Sequence, residues 1–299
     1  MSYNILITGS AGFIGSHLHK YLTDKGHRVL GIDNLSHPCN SGVKTEYADV
    51  RYEKELLPYF SNCDIVFHLA AQISVDKSIY NPEETIATNI LGTQNVLELA
   101  RRWNTKVIFA SSSEIYGTAQ KDFIDELHPM DAQSPYGASK IAGDRMCYAY
   151  YQTYKKDIVV VRNFNTFGEY QADDSYGGVI AKFTKAALTN EDIEIFGDGN
   201  QERDYMHVRD AVKAYELAID LPAGSVMNFG TGRTVTVNEI AQEIVKLTDS
   251  KSRIKHVEAR KGEVQRLCAD ITQAKKFGFK PSTDFKEDLK GYIKWFKQK

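Results

Sequence analysis

A chain of 299 residues with 42% hydrophobic content can bury a core of its own without disulfide or metal staples. Its 37 basic and 39 acidic residues nearly cancel, so no global field points to nucleic acid or an anionic membrane, and a phosphate-bearing ligand would need a local site. Cys39, Cys63, Cys147 and Cys268 form no C-x-x-C pair, which argues against a zinc site or disulfide framework and reads as reduced, structural thiols. No charged leader or bilayer-length apolar run is visible, and the simplest address is the cytoplasm.

Asn4–Thr8 reads as a short apolar strand that runs into Gly9, Gly12 and Gly15 and then into a helix reaching about residue 25. That order suits a dinucleotide. Gly9 allows a tight turn, Gly12 with Phe13 and Ile14 lets backbone meet a pyrophosphate at the helix N-terminus, and Gly15 lets helix pack on strand. The second strand, Arg28–Asp33, ends in an acid close to the ~20-residue offset at which a carboxylate meets the ribose. Asp33, with Asn34 beside it, would accept from the ribose hydroxyls and repel a 2′-phosphate, favouring NAD over NADP.

A short strand over 44–50 ends in Asp49 and Val50, which could face the adenine; a solvated loop acid is the other reading of Asp49. Residues 64–71 form a near-continuous apolar run of parallel-strand type that ends in Leu69, Ala70 and Ala71, where a flat cofactor can lie close to backbone. His68 within it reads as a core histidine. A polar loop with Ser74, a candidate substrate contact, precedes an amphipathic helix over 89–102. Strand and helix alternate up to Lys140, which implies a parallel sheet with helices on both faces.

The stretch 110–140 carries the chemistry. Ser111, Ser112, Ser113 and Glu114 follow an apolar run and sit where a buried strand should end, the usual place for ligands in an open α/β sheet. Pro135 then starts a helix that puts Tyr136 and Lys140 at i and i+4 on one face. A phenol beside an ammonium is a tunable base, since the positive charge favours phenolate, and Ser112 can hold a substrate alcohol against it. Tyr-x-x-x-Lys alone also fits a solvated helix face; the glycine loop and Asp33 give it weight.

Beyond that helix, residues 158–162 read as another buried strand, followed by Asn163-Phe-Asn-Thr-Phe-Gly168. The texture then changes: a polar stretch over 170–178, a helix over Val179–Leu188 and a short strand over Ile193–Phe196 begin a smaller lobe. Residues 202–208 are expected to return the chain to the sheet, before a helix over 210–221, a strand over Val226–Phe229 and a helix over Val237–Thr248. The expected fold is α/β, a Rossmann-type doubly wound parallel sheet with a smaller C-terminal substrate-binding lobe. The boundaries are 1–165 and 204–235 for the NAD-binding domain, and 166–203 and 236–299 for the nucleotide-sugar lobe.

Together Gly9-x-x-Gly12-x-x-Gly15, Asp33, Asp49, His68-Leu-Ala-Ala71, Asn89, Ser112, Tyr136-x-x-x-Lys140, Arg162-x-x-Asn165, Gly199-x-x-x-Arg203-Asp-Tyr-x-His207 and Arg260-x-Gly-Glu263 resemble the extended short-chain dehydrogenase/reductase family, specifically its nucleotide-sugar epimerases and dehydratases. The resemblance spans nearly the whole chain. It implies bound NAD, with Asn89 among the cofactor contacts, and a sugar nucleotide held by Asn165 and Val179, with Arg203, Arg260 and Glu263 around its diphosphate and ribose. Guanidinium forks suit phosphate oxygens, although surface salt bridges would also account for Arg260 and Glu263. Phe196 could pack on the nucleobase. A homodimer through the helices at 89–102 and 136–154 is also implied.

Such enzymes start by oxidising the sugar at C4, with Tyr136 as base, Ser112 orienting the oxygen and Lys140 on the nicotinamide ribose. Glu114 is the informative neighbour, because a 4-ketone acidifies the C5 hydrogen and a carboxylate can remove it. Typical 4-epimerases resemble Ser-Ser-Ser-Ala here; Ser112-Ser113-Glu114 is similar to 4,6-dehydratases and UDP-glucuronate decarboxylases. The expectation is a 4,6-dehydratase acting on a UDP-sugar, with a 4-epimerase as the alternative. Ser113 stands where many dehydratases carry Asp, leaving open whether it or Glu114 protonates the departing hydroxyl. Glu169-Tyr170 replaces the family's Pro-Arg or Pro-Gly. Arg266 falls one position out of register for a C6 carboxylate, which ranks decarboxylation lower, and the intact Ser112, Tyr136 and Lys140 set argues against a silent NAD-binding protein.

Overall fold

The computed structural model describes residues 2–39, 42–173, 178–259, 264–282 and 284–299. The chain opens with β1 (Asn4–Thr8), α1 (Phe13–Asp24), β2 (Arg28–Asp33), β3 (Glu46–Tyr47), the one-turn α2 (Glu53–Leu56) and β4 (Ile65–His68). Next come α3 (Val75–Tyr80), α4 (Pro82–Ile86), α5 (Gly92–Trp103), β5 (Lys106–Ser112), α6 (Pro135–Tyr154), β6 (Ile158–Asn163) and β7 (Asn165–Phe167). The remainder holds α7 (Val179–Leu188), β8 (Ile193–Phe196), β9 (Glu202–Arg203), β10 (Tyr205–His207), α8 (Val208–Ala218), β11 (Val226–Phe229) and β12 (Val235–Thr236). It closes with α9 (Val237–Thr248), β13 (Ile254–Val257), β14 (Arg266–Leu267), α10 (Thr272–Lys276) and α11 (Phe285–Phe296).

Seven strands form one all-parallel sheet in the order β11-β6-β5-β4-β1-β2-β3. Side chains alternate across it. Ile5 and Ile7 of β1 join a cluster with Leu18 and Leu22 of α1 and Ala211 and Tyr215 of α8, whereas Leu6 joins Val96 and Leu97 of α5 and Cys147 of α6. Helices therefore cover both faces, and the strand order reverses between β1 and β4, the topological point at which open α/β sheets bind ligands. A third cluster packs Ile180 and Phe183 of α7, Ile195 of β8, Ile240 and Ile244 of α9 and Leu289 and Tyr292 of α11 beside the sheet.

Three local expectations change. The helix expected from Asn89 begins with a wide π turn over Ala87–Leu91 and becomes regular only at Gly92; Thr93 Oγ1 donates to the Asn89 carbonyl within it at 2.7 Å. Tyr205–His207 does not return to the main sheet but pairs with Asn165–Phe167 in a separate two-stranded ribbon, because β11 already fills the place beside β6. The strand expected over 44–50 is only Glu46–Tyr47, an exposed edge. The four cysteines are free thiols, and no described helix is long and apolar enough to cross a membrane.

Candidate active site

At the carboxyl ends of the central strands lies a cavity of about 1210 Å³, open to the surface. One half is built for a dinucleotide. Gly9 turns with φ +75°, and a Cβ there would lie 2.8 Å from the Ala70 amide nitrogen; a Cβ on Gly15 would lie 2.1 Å from the Gly9 carbonyl oxygen. Helix α1 starts at Gly12 with no side-chain cap and no acid in its first turn, and Gly12, Phe13, Ile14 and Gly15 line the cavity, so its N-terminal amides suit an anion. Asp33 lines it too. Its carboxylate accepts from the Ala11 amide at 3.1 Å and the Leu35 amide at 2.7 Å, which leaves lone pairs for ribose hydroxyls. Asn34, Val50, Leu69, Ala70 and Ala71 complete this wall, and the donor set fits NAD.

Two residues expected here stand behind it. Asp49 is turned away from the cavity into Arg51, 2.6 Å away, and accepts from Asn34 Nδ2 at 3.1 Å, so it supports Asn34 instead of facing an adenine. Asn89 is buried, accepting from the Gln72 amide at 2.8 Å and donating to the Gln72 carbonyl at 2.9 Å and Ser139 Oγ at 2.9 Å. It clamps the loop after β4 onto α6. His68 is the expected core histidine, between Thr8 Oγ1 at 2.8 Å and Thr93 Oγ1 at 3.0 Å, and burial brings its pKa down to about 3.

Helix α6 begins at Pro135 with Ser134 as its cap, Ser134 Oγ accepting from the Gly137 amide at 3.1 Å. Its first turn presses on the 3₁₀ turn Ser113–Tyr116: a Cβ on Gly137 would lie 2.8 Å from the Glu114 carbonyl oxygen. This approach brings Tyr136, Lys140, Ser112, Ser113 and Glu114 together on the cavity wall. Lys140 Nζ donates to the Ala110 carbonyl at 2.9 Å and lies 6.0 Å over the Tyr136 ring. The expectation that Lys140 lowers the Tyr136 pKa is not met by the chain's own groups. Burial pushes Tyr136 up to about 12, with the Ser112 hydrogen bond opposing and Glu114 adding to the rise, and burial brings Lys140 down to about 8.

Glu114 is half-buried, and no described residue hydrogen-bonds its carboxylate. Burial raises its pKa above the ordinary carboxylate value, and the Arg203 charge pulls the other way. The other cavity carboxylates are engaged or in water: Asp33 by amides, Glu84 by Lys77, Asp173 by Lys299, Asp192 by Arg253, and Glu194 exposed. Beneath the turn, buried Arg162 forks onto Asp144 at 2.8 and 3.0 Å and donates to Tyr116 Oη at 2.8 Å, tying β6, α6 and the Glu114 turn together.

The far wall carries Asn165, Val179, Phe196 and Arg203. Ser74 is not on it; its hydroxyl caps α3 by accepting from the Lys77 amide at 3.1 Å, and its neighbours Ile73 and Val75 face the cavity. Arg260 and Glu263 lie outside the described residues. Arg266 is paired with Glu202 at 2.7 Å, away from the cavity. Tyr170, singled out by its departure from the family pattern, lines the cavity, and lining residues not anticipated include Trp295, Asn163 and Tyr215. Tyr170 has φ +67°, rests against His17 at 5.6 Å and meets Trp295 edge-on at 5.3 Å; its departure from the family pattern was the one available signal.

Fold and cradle define an NAD-binding α/β enzyme of the Rossmann type. Residues 5–230 match the model of the NAD-dependent epimerase/dehydratase family, and the chain belongs to that family. It is 38% identical to a Methanocaldococcus jannaschii protein assigned as a UDP-glucose 4-epimerase, over 98% of both chains. It is 34% identical to the UDP-N-acetyl-alpha-D-glucosaminuronate decarboxylase of Bacillus cytotoxicus, covering 100% of this chain and 99% of that one. The solved structure of a Thermotoga maritima UDP-glucose 4-epimerase with UDP-glucose superposes with a TM-score of 0.95, at 34% identity and 99% coverage of both.

Proposed function

We propose that this enzyme is a UDP-sugar 4,6-dehydratase that works through a 4-keto sugar, with Glu114 as the base at C5. The observation that carries the reading is the Glu114 carboxylate, half-buried in the cavity wall beside Tyr136 and without a hydrogen-bond donor among the described residues. A structural glutamate would be tied down, as Asp144 is by Arg162. Gly9, Gly12, Phe13, Ile14, Gly15 and Asp33 would hold the cofactor, with Lys140 at its nicotinamide ribose. Bound NAD supplies the acceptor, and later the donor, of the hydride that such a reaction moves.

Tyr136 takes the 4-hydroxyl proton while Ser112 holds that oxygen. Glu114 then takes the C5 proton, made acidic by the ketone, and the electron pair left at C5 expels the C6 hydroxyl, which leaves as water after protonation by Glu114 or through Ser113. The raised Glu114 pKa suits a group that must both accept and return a proton. Asn165, Val179, Phe196 and Arg203 would orient the nucleotide sugar in the smaller lobe.

A 4-epimerase is the second reading, favoured by the names of the 38% identical relative and the Thermotoga structure. It needs no base at C5. Decarboxylation has the Bacillus relative in its favour but lacks a receptor for a C6 carboxylate at Arg266, which is committed to Glu202. Glu114→Gln separates the readings: it is expected to abolish water loss from UDP-GlcNAc or UDP-glucose while C4 oxidation stays detectable as reduced nicotinamide. Unimpaired turnover by Glu114→Gln would remove Glu114 from the chemistry.

A further inference from the structure

We propose that Asn163 is a ligand-contact residue of the reaction centre, its side-chain oxygen placed to accept a hydrogen bond from the bound ligand. Asn163 ends β6, opposite Ser112 of β5 on one side and Phe229 of β11 on the other, so it stands in the row of residues at the carboxyl ends of the strands. It lines the cavity and is only 9% exposed. Its Nδ2 donates to Tyr215 Oη at 2.9 Å, whereas no described group hydrogen-bonds its Oδ1.

The pair belongs to the centre. Tyr215 also lines the cavity, and burial, with the nearby Tyr136 adding to it, raises its pKa. The Tyr215 hydroxyl fixes the Asn163 amide from one side, and the oxygen lies buried in the cavity wall. Buried amide oxygens without a donor are rare because the lost solvation is not recovered, and a donor from the cavity would recover it here. Two ligand groups have that chemistry: the amide N–H of a nicotinamide and a hydroxyl of the sugar. The inference holds whichever reaction follows C4 oxidation, so a 4-epimerase outcome for Glu114 leaves it standing.

The test titrates the full chain with NAD and with 3-acetylpyridine adenine dinucleotide, in which a methyl group replaces the amide nitrogen. If the nicotinamide is the donor, Asn163→Ala is expected to lose a preference for NAD of about five- to tenfold that the unaltered chain shows, and Asn163→Asp, which keeps an acceptor, to retain it. If a sugar hydroxyl is the donor, that preference survives and the Kd of UDP-GlcNAc on the NAD-loaded Asn163→Ala chain rises by a similar factor. A folded Asn163→Ala variant in which neither quantity moves overturns the proposal. Should loss of its partner at Tyr215 prevent folding, the double variant Asn163→Ala with Tyr215→Phe removes both groups and is judged by the same two measurements.

Discussion

A half-buried carboxylate without a donor weakens the fold that carries it, and Glu114 meets none among the described residues. Its raised pKa means that the folded chain holds the proton more tightly than the unfolded chain. The associated stability is fully present below the unfolded value and is lost as pH rises through the folded one. Near neutral pH, Glu114→Gln is therefore expected to raise Tm by about 2 °C, read by calorimetry, even as it removes water loss from the sugar. The rate has the opposite sign. A base must be ionised, so deuterium exchange at C5 should fall as pH is lowered through a limb lying above the ordinary carboxylate value, whereas an inert Glu114 would give no such limb. At the cofactor end, Asp33→Ser should reduce the preference for NAD over NADP by about tenfold or more in binding titrations, because it removes both the ribose acceptor and the charge that repels a 2′-phosphate.

Helix α6 owes its position to Gly137, where a Cβ would meet the Glu114 carbonyl oxygen at 2.8 Å and Ala132 Cβ at 2.9 Å. Gly137→Ala gains helix propensity of up to ~1 kcal/mol but forces the helix off the Ser113–Tyr116 turn. The expected net loss is about 1–2 kcal/mol in urea unfolding, together with slower C4 oxidation as Tyr136 moves from Ser112. Much of this scale was legible in the sequence. Strand β1, strand β2 and helices α7 and α9 match the pattern to the residue, because each couples a clear period to a clean start or stop. The π turn before α5 was not legible, since hydrophobic period does not register one extra residue per turn, nor was the β7–β10 ribbon, whose partners are far apart in the chain. In the site, the meeting of Ser112, Glu114, Tyr136 and Lys140 on one wall follows from a strand end and a helix start, while the roles expected of them come from the family resemblance. The Tyr136 pKa, the retreat of Asp49 and Asn89 and the arrival of Asn163 depend on burial and on distant partners, which spacing does not encode.

For the whole molecule, Leu91, Trp103, Tyr148 and Tyr154 leave large apolar surface exposed on and beside α5 and α6. We infer that two copies pair there, as the family resemblance implies. Sedimentation should find a dimer for the unaltered chain and a monomer for Leu91→Glu with Tyr148→Glu; a monomer at the outset would sink the idea. The cavity lies between the cradle and the wall of Asn165, Val179, Phe196 and Arg203, and the proposed reaction turns on what Glu114 does there. The most direct test is to incubate the protein with UDP-GlcNAc and UDP-glucose in D2O and follow the products by proton NMR and mass spectrometry. Loss of one water with deuterium at C5 is the predicted result; inversion at C4 alone, with no water lost and no deuterium gained, would contradict it.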